Sequence, residues 1–270
     1  MPWESDARLA VDRALAEDVG SGDITTQACI RANLNAEARF VAKQDLTLAG
    51  IELLAFLFDN PHLRKRSGDR VVAGEELAIT RGPAQTLLTR ERVTLNFLQR
   101  LSGVATHAAK FVAAVEGTGV RILDTRKTTP GLRVLEKMAA AAGGVVNHRM
   151  GLFDAVLIKN NHIRLAGGVG IAIDRARVTR KPIEIEVRTR VEIEEALEGG
   201  AARLLLDNMT PEQAAVEITF IARRAETEIS GGVTLENVRA YAEARPDFIS
   251  SGAITHSAPA VDIHCGIYAV

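Results

Sequence analysis

Val120-Arg121-Ile122-Leu123-Asp124-Thr125-Arg126-Lys127-Thr128-Thr129-Pro130-Gly131 is the stretch on which the reading of this chain turns. The apolar run Val120–Leu123 reads as a short buried strand, and the polar turn after it opens into Leu132–Ala142, whose composition is helical. Strand, polar loop and helix in that order make half of a parallel βα unit. In such folds chemistry collects where strands end and their loops begin. Adjacent Arg126 and Lys127 at a strand end are costly unless an anion meets them, so this loop is a candidate phosphate or carboxylate site.

The same pattern recurs downstream. Strand candidates are Val120–Leu123, Ala155–Ile158, Ile183–Val187, Arg203–Leu206, Glu228–Ser230 and Phe248–Ser250, with helices over Arg188–Leu197, Pro211–Arg224 and Leu235–Ala244. Alternation of this kind implies an α/β fold with parallel strands. Six or so units suit an incomplete or closed parallel α/β barrel, although an open doubly wound sheet shares the pattern. Upstream of residue 103 the chain reads differently. Trp3–Asp18 is a helix with Trp3, Ala7, Ala10 and Ala14 on one side, and Glu37–Val41, Leu46–Ala49 and Glu76–Arg81 are short strands. Gly68–Gly74 is a turn, a β piece and a second turn. Residues 1–103 therefore form a small N-terminal α+β domain, and 104–261 the barrel domain.

Composition limits the function classes. A chain of 270 residues with 47% apolar content can build a substantial core. A formal net charge of -1 and a pI near 6.6 argue against a general nucleic-acid or acidic-membrane binder, so any cation cluster is local. Cys29 and Cys265 have no metal-ligand spacing and form no disulfide framework, which suits a reduced cytoplasm. The N-terminus lacks a signal-peptide pattern, and no apolar stretch approaches the roughly 20 residues that span a bilayer. The sequence predicts a cytoplasmic protein with no nucleic-acid or membrane partner.

The strand ends can be compared. The first delivers Arg126 and Lys127; the second delivers Lys159, followed by Asn160, Asn161 and His162; the loop between holds Asn147, His148 and Arg149. Strand Ile183–Val187 sets Glu184 and Glu186 on one face. Strand Arg203–Leu206 ends at Asp207-Asn208, and the glycine turns Ser230-Gly231-Gly232 and Ser251-Gly252-Ala253 follow the last two. Each piece has a bland reading: a snorkelling lysine at 159, satisfied structural histidines at 148 and 162, the wet face of an edge strand for Glu184 and Glu186, a helix cap at Asp207-Asn208. Together they fall on one rim. Clustered Arg, Lys and His suit a ligand with several carboxylates or phosphates, because Arg grips a carboxylate with two hydrogen bonds. Acids among those cations suggest Mg²⁺, which takes one or two protein carboxylates plus phosphate oxygens. Glycine turns can present N–H groups to a terminal phosphate. An anionic substrate, a metal diphosphate and a 5′-phosphate describe phosphoribosyl transfer from phosphoribosyl pyrophosphate.

These segments also carry a resemblance. Glu17-Asp18-Val19-Gly20-Ser21-Gly22-Asp23-Ile24-Thr25-Thr26, Leu95–Thr106, Asp124–Gly131, Asn147-His148-Arg149-Met150-Gly151-Leu152, Glu184-Ile185-Glu186-Val187, Leu206-Asp207-Asn208 and Gly252–Ser257 resemble the quinolinate phosphoribosyltransferase family (nicotinate-nucleotide pyrophosphorylase, carboxylating). The resemblance runs along nearly the whole chain. It implies a barrel with a small open-faced-sandwich N-terminal domain, to which the tail from about 262–270 returns as a strand. It implies Mg²⁺-dependent conversion of quinolinate and phosphoribosyl pyrophosphate to nicotinate mononucleotide, pyrophosphate and CO₂ in NAD biosynthesis.

By that resemblance Thr125, Arg126, His148, Arg149 and Lys159 would bind the substrate carboxylates, and Lys127 would serve the pyrophosphate or substrate anion. Glu186 and Asp207 would hold Mg²⁺ and the ribose hydroxyls. Lys127, Lys159, Glu186 and Asp207 would be the catalytic set. Ser230, Gly231, Gly232, Ser251, Gly252 and Ala253 would cradle the 5′-phosphate. Arg92 falls on a stripe with Leu88 and Leu95, where a buried charge needs a partner or an anion. The family account sends Arg92 into the neighbouring subunit of a homodimer to grip quinolinate. Asn160 stands where the family usually has an acid, and Arg188 where an acid is also common. Three rival readings share the pattern: a relative acting on nicotinate, a barrel lyase using Lys159 as a Schiff base, and a non-catalytic paralogue associated with molybdate transport.

Overall fold

A computed structural model describes residues 2–270. In chain order the elements begin α1 (Pro2–Val19), α2 (Ile24–Cys29), β1 (Asn35–Ala42), β2 (Leu46–Thr47), α3 (Leu54–Leu57), β3 (His62–Leu63), β4 (Arg70–Val71), β5 (Glu76–Pro83) and α4 (Ala84–Ala114). They continue β6 (Arg121–Leu123), α5 (Arg133–Ala142), β7 (Val156–Ile158), α6 (Asn160–Ala166), α7 (Val169–Ala176), β8 (Ile183–Val187) and α8 (Arg190–Glu198). The last are β9 (Arg203–Asp207), α9 (Pro211–Ile221), β10 (Glu226–Ser230), α10 (Val238–Glu243), β11 (Phe248–Ser250), α11 (Ala253–His256) and β12 (Ile263–Ala269). Two compact units divide them: the chain up to Ala109 with Thr128–Gly144 and Thr255–Val270, and Lys110–Lys127 with Val145–Ile254.

The first unit is built on an antiparallel sheet of order β12-β1-β5-β3. Phe40 on β1 stands opposite Cys265 of β12 and Ala78 of β5, so the last strand of the chain lies beside one of the first. Phe40, Leu77, Leu87, Leu98 and Leu101 are fully or almost fully buried. Each contributes about 1.5–3 kcal/mol of apolar burial. Arg92 departs from the stripe reading. Buried positions around it on α4 include Leu87, Val93, Thr94, Leu95, Phe97 and Leu98, while Arg92 is exposed. Its guanidinium raises no problem of a buried charge. A buried ion pair does occur nearby: Glu136 of α5 is fully buried and accepts from Arg100 at 2.8 Å and from Thr129 Oγ1 at 2.7 Å.

The second unit is the parallel one. Its six strands run in the order β6-β11-β10-β9-β8-β7, every described pairing is parallel, and none joins β6 to β7. This is an incomplete α/β barrel. Its inner strands are covered on both faces, as parallel sheets require; all five residues of β8 are buried. The wet-face reading of Glu184 and Glu186 is thereby corrected, because β8 lies between β7 and β9 and is not an edge.

Helix limits move inward from the expected ones for local reasons. α8 starts at Arg190 because Thr189 caps it, its hydroxyl accepting from Glu192 N–H at 3.3 Å in a reciprocal capping box. α9 stops at Ile221 because Ala222 and Arg223 adopt positive φ of 51° and 61°. α10 starts only at Val238, since Asn237 closes the preceding turn through Thr234 N–H at 2.8 Å and Gly232 C=O at 2.9 Å.

Candidate active site

Parallel strands bring their C-terminal ends to one side of the sheet, and the polar residues of the second unit gather there. β6 leads directly into Asp124, fully buried, whose carboxylate accepts the backbone N–H of His148 at 2.8 Å. That bond ties the Asn147–Arg149 loop to the first strand. Thr125 Oγ1 accepts Lys127 N–H at 3.0 Å and so shapes the Arg126-Lys127 turn. Arg126 is half-buried and Lys127 exposed.

Arg149 is half-buried, and its guanidinium donates to Ala155 C=O at 3.3 Å. Burial, and then the like charge of Arg126, hold its pKa below the ordinary arginine value against the opposing pull of Glu184, Asp154 and Glu186. A guanidinium fork such as that of Arg149 can take a carboxylate through two hydrogen bonds.

β7 delivers Lys159, whose Nζ donates to Glu186 Oε1 at 2.5 Å. The other oxygen of Glu186 accepts the Asn160 backbone N–H at 3.0 Å and its side-chain amide at 3.1 Å. The same amide approaches Asp207 at 3.5 Å, so Asn160 bridges the two acids. Arg188 forks onto Asp207 Oδ2 at 3.0 and 2.7 Å, and Oδ1 takes no part in that fork. The chain thus brings Lys159, Glu186, Asn160, Asp207 and Arg188 into one hydrogen-bonded row. His162 is not part of it. Its Nδ1 accepts the Lys159 backbone N–H at 2.8 Å, the structural reading for that histidine.

The glycine turns differ from each other. At Ser230-Gly231-Gly232, both glycines adopt positive φ, 96° and 64°, and a Cβ on Gly231 would stand 2.3 Å from Asn208 Oδ1. Asn208 N–H donates to Ser230 C=O at 2.9 Å, locking this turn to the end of β9. At Ser251-Gly252-Ala253 the backbone is already committed: Ser251 N–H donates to Leu123 C=O at 3.2 Å, and Ala253 N–H to Ser251 Oγ at 3.2 Å. Ser251 Oγ in turn donates to Val233 C=O at 2.7 Å. That loop is braced by its own groups, and Gly231-Gly232 is the more open of the two.

Sequence reasoning passed over Glu228. It is fully buried on β10, and its nearest cations are Arg203 at 3.5 Å and His148 Nε2 at 3.6 Å. Burial, and then the charge of Glu184, push its carboxyl up to about 7. Burial acts on Glu184 as well, but the hydrogen bond and charge of His148 and the charge of Arg203 outweigh it and keep Glu184 below the ordinary range. The available signal was slight, since Glu228 sits in the mostly polar strand Glu226-Thr227-Glu228-Ile229-Ser230 with Ile229 its one apolar member. One oxygen or nitrogen from each of His148, Glu184 and Glu228 lies within 4.8 Å of the others, a spacing that could hold a metal. Arg203 already supplies a cation to that group.

Both halves of one family profile match the chain: the quinolinate phosphoribosyl transferase N-terminal domain over 23–102 and the C-terminal domain over 104–265. A probable nicotinate-nucleotide pyrophosphorylase [carboxylating] of Bacillus subtilis is 40% identical, with 92% of this chain and 88% of the relative covered. A chloroplastic nicotinate-nucleotide pyrophosphorylase [carboxylating] of Arabidopsis thaliana is 41% identical over 96% of this chain and 82% of the relative. Among solved structures, NadC from Streptococcus pyogenes superposes with a TM-score of 0.92 at 37% identity, covering 100% of this chain and 98% of that one. The nicotinate-nucleotide pyrophosphorylase of Francisella tularensis gives 0.92 at 34%, covering 97% and 96%.

Proposed function

We propose the reaction of this chain from a firm premise: it belongs to the quinolinate phosphoribosyltransferase family, matched along both of its domains. The protein is a phosphoribosyltransferase of NAD biosynthesis, and its substrates are quinolinate and phosphoribosyl pyrophosphate. The observation that carries the reading is the hydrogen-bonded row of Lys159, Glu186, Asn160, Asp207 and Arg188 at the strand ends, with Arg126 and Arg149 on the loops after β6 and before β7.

Arg126 and Arg149 hold the pyridine dicarboxylate, with Thr125, His148 and Lys159 around it. The ring nitrogen attacks the ribose anomeric carbon; the N–C bond forms as the C–O bond to pyrophosphate breaks, and pyrophosphate leaves with the bonding pair. The ring-to-carboxylate bond then breaks, CO₂ departs, and the electron pair left on the ring takes up a proton. No covalent enzyme intermediate is needed. Positioning and charge do the work: a cationic pocket stabilises the ring carbanion, and Glu186 and Asp207 face the cationic ribosyl centre and its hydroxyls. Lys127, exposed at the turn, meets the pyrophosphate. Ser230, Gly231 and Gly232 cradle the 5′-phosphate, with Ser251, Gly252 and Ala253 as the wall beside them.

Glu186 and Asp207 are hard oxygen donors that suit Mg²⁺, and Asp207 offers the oxygen outside the Arg188 fork. When bound there, Mg²⁺ supplies charge to the leaving pyrophosphate. The pairing of Lys159 with Glu186 speaks against the Schiff-base reading, since an ammonium locked on a carboxylate offers no electron pair to a carbonyl. Exposed Arg92 is free to complete the site of a second copy in a homodimer. Among the described residues no helix is long and apolar enough to cross a membrane.

The experiment mixes purified protein with quinolinate, phosphoribosyl pyrophosphate and Mg²⁺ and follows nicotinate mononucleotide and CO₂. Parallel reactions contain nicotinate in place of quinolinate, or omit the metal. Metal-dependent product from quinolinate alone is expected. Product from nicotinate would move the assignment to a non-decarboxylating activity, and no turnover from a folded dimer would favour a non-catalytic paralogue.

A further inference from the structure

Two acids in the interior of a barrel sheet demand an explanation. Glu184 is 8% exposed, between Ile183 and Ile185 on β8, and Glu228 is fully buried, between Thr227 and Ile229 on β10. Burying a carboxylate costs several kcal/mol unless its partners are well placed. The partners here are few: Arg203 stands 3.5 Å from Glu228, and the His148 ring stands between the two acids. His148 Nε2 lies 3.2 Å from Glu184 Oε2 and 3.6 Å from Glu228 Oε2.

The other side of that ring is also engaged. Arg149 backbone N–H donates to His148 Nδ1 at 2.6 Å, and the His148 backbone N–H is held by Asp124 at 2.8 Å. A nitrogen that accepts a hydrogen bond carries no proton, so the hydrogen of the ring sits on Nε2, pointed at the acids. Glu184 as acceptor on one side and Arg149 N–H as donor on the other select a single tautomer. Hydrogen bonds at both ring nitrogens also fix the ring plane.

We propose that Glu184 and Glu228 are positioning residues for the substrate-carboxylate end of the site: they anchor His148 through Nε2, and the anchored ring sets the backbone, and hence the guanidinium, of Arg149. The proposal rests on the assignment of Arg149 to the quinolinate carboxylates. Glu184 is the principal anchor, being closer to Nε2, and Glu228 backs it from β10. The charge of Glu184 also acts on Arg149 directly, which couples the acid below the ring to the arginine above it.

The test uses Glu184→Met, which fills the space without an acceptor, and Glu184→Gln, which restores one. Glu184→Met should raise KM for quinolinate by roughly 10–100-fold, the range for losing a partner that orients a ligand-holding histidine. KM for phosphoribosyl pyrophosphate should stay within about twofold, and Glu184→Gln should recover most of the affinity. In protein labelled with ¹⁵N-histidine, His148 (assigned by its loss in His148→Gln) should show one protonated and one bare ring nitrogen. That pattern should become a tautomer mixture in Glu184→Met and return in Glu184→Gln. If Glu184→Met does not fold, Glu228→Met carries the same comparison. An unchanged tautomer with unchanged KM for quinolinate overturns the proposal, as does an equal rise in both KM values. A wild-type protein that does not turn over quinolinate refutes the reaction assignment instead, and the tautomer readout then decides the anchoring alone.

Discussion

Replacing Glu228 by Gln should abolish a loss of stability that the wild-type protein suffers between mildly acidic and mildly alkaline pH. Glu228 is fully buried, and burial followed by the charge of Glu184 raises its carboxyl from 4.5 to about 7. Between those two values the folded chain keeps a proton that the unfolded chain has released. The unfolded state binds fewer protons there, so stability falls as pH rises through the window, and the contribution is intact only below the lower value. At about 1.4 kcal/mol per pH unit, the loss is about 3 kcal/mol once the upper value is passed. Glu184, displaced in the opposite direction, contributes above its ordinary range and loses that contribution only at lower pH, outside this window. A glutamine amide stands in for the protonated carboxyl at every pH. Urea unfolding of both proteins at about pH 5 and about pH 8 measures the effect. The difference in unfolding free energy between them should move in favour of the variant by about 2–3 kcal/mol across that interval. Comparing differences across pH cancels any fixed cost of fitting an amide beside Arg203. Parallel pH profiles would refute the assignment of a retained proton to Glu228.

Three other outcomes are expected. Arg149→Lys keeps the charge but loses the fork, and should raise KM for quinolinate by roughly 10–100-fold with little change for phosphoribosyl pyrophosphate; equal affinity in steady-state kinetics would remove Arg149 from the carboxylate site. Gly231→Ala puts a Cβ 2.3 Å from Asn208 Oδ1 at a φ of 96°, so thermal unfolding should begin lower and KM for phosphoribosyl pyrophosphate should rise; a variant matching wild type in both would show the turn to be dispensable. Arg100→Met strips the fully buried Glu136 of its cation, and should destabilise by about 3–5 kcal/mol in urea titration, against less than about 1 kcal/mol if the pair were idle.

The parallel unit was legible because its signals are local. A strand such as Ile183–Val187 or Phe248–Ser250 is announced by an apolar run, and the cations or acids after it mark the rim. The row from Lys159 to Arg188 could be anticipated as a set of strand ends, but its internal bonding could not. That Asn160 bridges Glu186 and Asp207 depends on the register of β7, β8 and β9, which no window of sequence contains. Glu228 escaped for a similar reason. An acid in a short strand looks like a surface residue until the strand proves to be an inner one, paired along both edges by β9 and β11. Arg92 shows the opposite error: a spacing of four and three placed it with Leu88 and Leu95, whereas of those three only Leu95 is buried and Arg92 is left outside. The committed N–H groups of Ser251 and Ala253 were invisible, because a glycine-flanked turn reads alike whether it waits for a ligand or braces itself.

The pairing of β1 with β12 has a consequence for how the molecule comes into being. Ala36 stands opposite Ala269, and the strand between β12 and β5 is made early while its outer neighbour, Ile263–Ala269, comes far later along the chain. Through most of synthesis, β1 therefore presents a bare edge along Asn35–Ala42 with Phe40 in its middle. Bare edges recruit other chains, and contacts across such a sequence separation form slowly. Until Ile263–Ala269 has been made and paired, that edge is open to other chains, and β12 then acts as a built-in guard strand that ends the exposure.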